Sequence, residues 1–119
     1  MTKPVIAIIG LGYVGTPLMA AFTERYETLG FDISEARIAE LKAGRDRTEE
    51  LSEDELQRVG QLTLTSEAQD IARANVFIVT VPTPINEDHS PDLSPLHSAC
   101  RTLGPILKKG DTVIFESTV

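Results

Sequence analysis

Pro4-Val5-Ile6-Ala7-Ile8-Ile9-Gly10-Leu11-Gly12-Tyr13-Val14-Gly15 is the stretch from which the rest of the 119-residue chain can be read. Pro4 to Ile9 is a continuous apolar run, the pattern of a strand covered on both faces rather than one alternating between core and water. Gly10 to Gly15 fits G-x-G-x-x-G, and from about Tyr13 to Tyr26 the pattern predicts a helix, with Pro17 tolerated in its first turn. Strand, glycine turn and helix in that order give each glycine a separate task. Gly10 allows the tight turn, Gly12 lets the main chain approach a pyrophosphate, and Gly15 lets helix and strand pack closely. The N-terminus of the helix attracts the phosphate charge.

Leu29, Gly30 and Phe31 form a second short strand ending at Asp32, 20 positions after Gly12. A carboxylate there accepts hydrogen bonds from the adenosine ribose hydroxyls and repels a 2′-phosphate, so the expected dinucleotide is NAD rather than NADP. Arg37, on the following helix, reads either as a helix-surface residue or as a 2′-phosphate ligand, with Asp32 closer to the ribose.

Further along, Ser34 is placed to cap the helix through Ile38 and Leu41, and Gly44 to end it in a left-handed conformation. Ser52 with Glu55, and Ser66 with Gln69, match the capping box. Leu62 to Thr65 between them is an expected edge strand. Val76 to Val81 is a fourth strand stopped by Pro82 and Pro84, Ser94-Pro95 reads as N-cap and N1 of a helix through Leu96 and Leu103, and Asp111 to Val119 is a fifth strand. Short β-rich runs alternating with helices predict an α/β fold, a Rossmann-like doubly wound parallel sheet of about five strands. Because the chain stops after a strand, residues 1–119 are expected to be a truncated dinucleotide-binding domain from the front of a larger protein.

Composition excludes several classes of function. Eighteen acidic against eleven basic residues give a net charge of −7, and no Lys/Arg cluster supplies the electrostatic footprint of a nucleic-acid binder. The acids between Asp46 and Glu55 read as a solvated helix face and loop. The apolar run at the N-terminus is broken by glycines far short of a membrane-spanning length. A single cysteine, Cys100, forms no internal disulfide, so the expected setting is a reducing cytoplasm.

Val81-Pro82-Thr83-Pro84 ends the fourth strand at the carboxyl edge of the sheet, where open α/β sheets bind ligands, making Pro82 and Thr83 candidate cofactor contacts. Glu116-Ser117-Thr118 ends the fifth strand on the same edge and directs its hydroxyls towards the nicotinamide end of a dinucleotide. Cys100 reads as a packed or partly buried thiol with no feature that would lower its pKa. His89 and His97 have no cysteine or carboxylate at metal-ligand spacing, so no metal is expected.

GLGYVG at Gly10 to Gly15, GFD at Gly30 to Asp32, RIAELKAG at Arg37 to Gly44, VPTP at Val81 to Pro84, PDLS at Pro91 to Ser94 and EST at Glu116 to Thr118 together resemble the UDP-glucose/GDP-mannose dehydrogenase family. The resemblance covers essentially the whole chain but only the opening part of a family member. It implies that Tyr13 and Val14 offer main-chain contacts to the pyrophosphate, that Asp32 and Arg37 hold the adenosine ribose, and that Thr83 lines the cofactor cleft. It also implies that Thr118 contacts the nicotinamide side and helps to place the water used in the second half of the reaction.

Family members oxidise a sugar C6 alcohol to a carboxylate in two NAD-dependent steps, through a cysteine that would lie beyond Val119; Cys100 does not match its motif. This chain is therefore expected to bind NAD and, alone, to be inactive towards a UDP-sugar. The VPTPINEDHSPDLS loop and EST ending look more like bacterial UDP-N-acetylhexosamine dehydrogenases, which supply surface polysaccharides and act as homo-oligomers, than like the UDP-glucose enzymes. Two other readings stand beside this one: a stand-alone NAD-sensing regulatory module, and a 3-hydroxyacid or 6-phosphogluconate type dehydrogenase.

Overall fold

The computed structural model describes residues 4–116. Five strands, β1 (Val5–Ile9), β2 (Glu27–Phe31), β3 (Thr63–Thr65), β4 (Val76–Val79) and β5 (Thr112–Phe115), form one sheet in the order β3-β2-β1-β4-β5. Every pairing is parallel. From β1 the chain moves outward through β2 to β3, then returns across β1 to β4 and β5, so the order reverses between β1 and β4. That reversal opens a crevice at the carboxyl ends of these two strands.

Four helices connect the strands: α1 (Gly15–Phe22), α2 (Glu35–Lys42), α3 (Glu53–Gly60) and α4 (Ser94–Leu103). Their placement follows from strand alternation, which sends neighbouring side chains to opposite faces. Ile6 and Ile8 of β1 join Leu11, Met19, Leu41 and Val59 in a core under α1, α2 and α3. Ala7 and Ile9 join Phe77, Val79, Ala99 and Leu103 in a second core under α4. Both faces of β1 are thus covered, which is why its sequence is apolar without a break.

The sheet, its parallel sense and the edge position of β3 agree with the sequence expectation, while several boundaries differ for local reasons. α1 runs from Gly15 to Phe22 rather than from Tyr13 to Tyr26. Residues 12–14 are spent on the turn, and after Phe22 the Thr23 hydroxyl donates back to the Ala20 carbonyl while the Tyr26 ring folds against Phe22. β4 ends at Val79 because Thr80 turns its hydroxyl back onto the glycine loop.

The box expected from Ser66 and Gln69 does not form. Instead the Thr65 hydroxyl accepts from the Glu67 N–H and donates to Asp70, opening a single 3₁₀ turn at Ala68–Ile71. α4 begins at Ser94, one residue earlier than expected, with its N–H held by the Asp92 carboxylate. The Ser52–Glu55 box, the Ser34 cap and the left-handed Gly44 (φ 78°) are all present as expected. The expected end of the fifth strand, Ser117 to Val119, lies outside the described residues.

Candidate functional site

The crevice at the switch point is a cleft of about 680 Å³, within the range of small-ligand sites. Its floor is the turn from Gly10 to Val14; one wall is Phe31 to Ser34 with Arg37, Arg47 and Thr48, and the other is Thr80 to Thr83 with one face of α4 and Glu116.

The turn itself is set by its three glycines, whose roles differ. Gly10 sits at φ 100°, a conformation that costs side-chain-bearing residues heavily. At Gly15 an added Cβ would stand 1.8 Å from the Gly10 carbonyl oxygen and 2.5 Å from the Thr80 hydroxyl, so α1 lies against β1 and β4 at a distance only glycine permits. At Gly12 an added Cβ would meet nothing within 4 Å, although the residue lines the cleft. The space beside Gly12 is open. α1 starts without a side-chain cap; the Thr16 N–H donates to the Gly12 carbonyl (3.2 Å) and Pro17 has no N–H, so it is the main chain of the turn before the helix that meets the cleft.

Asp32 follows β2 and is tied down on both oxygens. The Leu11 N–H donates to Oδ2 (2.9 Å) and the Ser34 N–H to Oδ1 (2.8 Å). A carboxylate oxygen has more than one lone pair, so each can still accept a hydroxyl from solvent or ligand. Asp32 thereby clamps the turn to α2 while facing the cleft.

Arg37 is not the helix-surface residue that one reading of its position suggested, and it lines the cleft. It is 6% exposed, not a surface residue. Its Nε donates to the Leu11 carbonyl (2.5 Å), and one Nη donates to the Thr16 hydroxyl (3.0 Å) and to Asp46 (3.0 Å). The other Nη lies 3.4 Å from Glu40 as an ion pair without hydrogen-bond geometry. The guanidinium thus ties the glycine turn to α2 and to the loop beyond it; burial is tolerable because two carboxylates and two uncharged acceptors surround it.

Burial pushes the Asp46 carboxyl up, but hydrogen bonds from Thr48 and Arg37 outweigh it and hold it below the ordinary carboxylate range. A lowered folded value contributes stability that is present above the unfolded pKa, about 3.9, and lost as pH falls through the folded value. The Asp46→Asn variant is expected to be less stable than wild type at neutral pH and to converge on it below about pH 4. Urea-unfolding midpoints measured across that interval check this, and a constant difference at every pH overturns it.

Tyr13, Val14, Pro82 and Thr83 all line the cleft as the sequence suggested, together with Gly10 and Gly12; Gly15 acts from behind it. Thr118 lies outside the described residues, while Glu116, which precedes it, reaches the cleft with its N–H bonded to the Val79 carbonyl. Cys100, expected to be packed or partly buried, is exposed, because α4 turns Ala99 and Leu103 into the core and Cys100 out.

Sequence reading missed Ile33, Arg47, Thr48, Thr80, Ser98 and Thr102 as lining residues. Ser98 and Thr102 stand at i, i+4 on α4 and a helical-face reading could have found them. Arg47 and Thr48 belong to an irregular loop with no periodic signal. Among the described residues no group of three His, Cys, Asp or Glu side chains is arranged to hold a metal ion, and no helix is long and apolar enough to cross a membrane.

A parallel sheet with this strand reversal, a glycine turn opening onto a helix N-terminus and a carboxylate at the end of the second strand together define a dinucleotide-binding Rossmann unit. More particularly, the chain belongs to the UDP-glucose/GDP-mannose dehydrogenase family, whose NAD binding domain matches residues 4–119.

UDP-N-acetyl-D-glucosamine 6-dehydrogenase of Pseudomonas aeruginosa is 52% identical over 114 residues, covering 96% of this chain and 27% of the relative. The enzyme of the same name from Salmonella typhi is 50% identical over the same shares. The solved UDP-D-ManNAc dehydrogenase of Pyrococcus horikoshii superimposes with a TM-score of 0.86 at 35% identity, covering 97% of this chain and 28% of that one. The chain thus spans 27% of the length of the curated relatives named here. Its cofactor is NAD, and the comparisons do not favour the NAD-sensing module or the 3-hydroxyacid type of dehydrogenase.

Proposed function

We propose that residues 1–119 form the NAD-binding domain of a longer, cytoplasmic, homo-oligomeric UDP-sugar 6-dehydrogenase, acting on a UDP-N-acetylhexosamine and supplying uronic acids for surface polysaccharide. The observation that carries the cofactor part is the pairing of open space at Gly12 with closed space at Gly15, beside a clamped Asp32. The names of the relatives and the 27% of their length that this chain spans support the rest.

In this reading the main chain at Gly10, Gly12, Tyr13 and Val14 receives the pyrophosphate at the N-terminus of α1, with Gly15 bringing that helix close enough. Asp32 accepts the adenosine ribose hydroxyls. Arg37 acts on the ribose end by holding Leu11 and Asp46, and Pro82 and Thr83 form the opposite wall. For Thr118, outside the described residues, the family resemblance implies contact with the nicotinamide side and a part in placing water for the second oxidation. Bound NAD supplies the hydride acceptor for the sugar C6. The nucleophilic cysteine belongs to a segment beyond this chain, and Cys100, exposed on α4, takes no part.

Calorimetric titration of the 119-residue chain with NAD and NADP tests the cofactor half. NAD is expected to bind, and Asp32→Asn, which keeps an acceptor for the main chain but removes the charge, is expected to weaken NAD about tenfold and to narrow its preference over NADP. Equal binding of both nucleotides to wild type overturns the role of Asp32. Assay of the longer protein for NADH formation with UDP-N-acetylglucosamine, UDP-N-acetylmannosamine and UDP-glucose tests the substrate half; turnover of UDP-glucose alone overturns it.

A further inference from the structure

Two arginines, Arg37 and Arg47, line the cleft among the described residues, on the same side as Asp32. A guanidinium near the ribose is the usual means of accommodating a 2′-phosphate, so the presence of two of them runs against a preference for NAD. The structure shows where their charges go. Arg37 is bound to Asp46 at 3.0 Å and flanked by Glu40 at 3.4 Å. Arg47 is 65% exposed at its side chain, yet its Nε donates to Glu40 Oε1 at 2.8 Å and its main-chain N–H donates to Glu40 Oε2 at 2.6 Å. A single carboxylate, only 15% exposed, thus faces both arginines and fixes one of them by side chain and backbone together.

We propose that Glu40 is a cofactor-specificity residue: by holding Arg47 it withholds from a 2′-phosphate a positive charge that the cleft otherwise offers. Glu40 does not itself line the cleft, so it acts through Arg47 as a positioning residue. Discrimination against NADP then has two layers, direct repulsion by Asp32 and sequestration of the guanidinium by Glu40. The carboxyl of Glu40 is held below the usual glutamate range, its largest cause being the Arg47 hydrogen bond, so it is anionic at neutral pH. This inference rests on the NAD-site reading above.

The test is the ratio of NADP to NAD affinity, measured by calorimetry on the 119-residue chain, because a merely structural loss weakens both nucleotides alike. Glu40→Gln is expected to raise that ratio on the order of tenfold, the size of one gained charge-assisted contact. Adding Arg47→Ala in that background is expected to return the ratio to the wild-type value. An unchanged ratio in Glu40→Gln, or a gain that survives removal of Arg47, overturns the proposal.

Arg47→Gln alone keeps the question answerable should Glu40→Gln fail to fold. It is expected to leave the ratio unchanged, and a selective fall in NADP affinity shows that Arg47 already engages the 2′-phosphate despite Glu40. Failure of wild type to bind either nucleotide overturns the site reading and this inference with it, whereas NAD binding with an unresponsive ratio overturns this inference alone.

Discussion

Gly15→Ala is expected to destabilise the chain by about 3 kcal/mol or more, at the upper end of overpacking costs and a large share of the stability of a domain this size. The added methyl would stand 1.8 Å from the Gly10 carbonyl oxygen, a main-chain atom that cannot rotate away, and 2.5 Å from the Thr80 hydroxyl. Thr80 in turn is fixed by donating to the Gly10 and Ile9 carbonyls, so the obstruction is backed by the ends of β1 and β4. Relief requires α1 to lift from the sheet, which separates Met19 and Ala20 from the core they share with Ile6, Ile8 and Ile78. A lowered urea midpoint with loss of NAD binding checks this; a variant as stable as wild type shows that the turn relaxes in a way this geometry does not allow.

Gly12→Ala is expected to do the opposite, leaving stability within about 0.5 kcal/mol of wild type while reducing NAD affinity roughly a hundredfold. No atom lies within 4 Å of the methyl position, so the folded chain has nothing to lose by it. In the proposed binding mode the same methyl projects where the pyrophosphate comes against the main chain of the turn at the helix N-terminus, and even a small displacement there weakens several charge-assisted contacts together. Paired thermal melts and NAD titrations separate the two variants. If Gly12→Ala binds NAD as wild type does, the cofactor does not cross the turn at Gly12. Two glycines three residues apart in one motif thus test different links, the first between sequence and packing, the second between packing and function.

Much of this was legible before any coordinates, because the signals were local. An unbroken apolar run, a glycine turn and a carboxylate 20 residues after Gly12 constrain one strand–helix–strand unit through nearest-neighbour chemistry. Caps such as Ser34 and Ser52–Glu55 involve atoms three residues apart. The Ser66–Gln69 box failed for an equally local reason: Thr65, one residue earlier, offered its hydroxyl to Glu67 and Asp70, and two neighbouring hydroxyls competing for one turn look alike in sequence.

The parallel α/β architecture, the glycine turn and the carboxylate at the end of β2 could be read from the sequence, since each follows from periodicity, backbone freedom or charge at a strand end. The state of Arg37 and the makeup of the cleft wall beside Asp32 emerge only from the folded chain. Arg37 reaches Leu11 and Thr16, 26 and 21 residues away, and meets Asp46 across the end of α2. A long side chain on an amphipathic helix can lie in water or bridge elements with the same local pattern. The choice depends on whether acceptors from distant segments converge on it closely enough to offset its desolvation, and that convergence exists only in the folded chain.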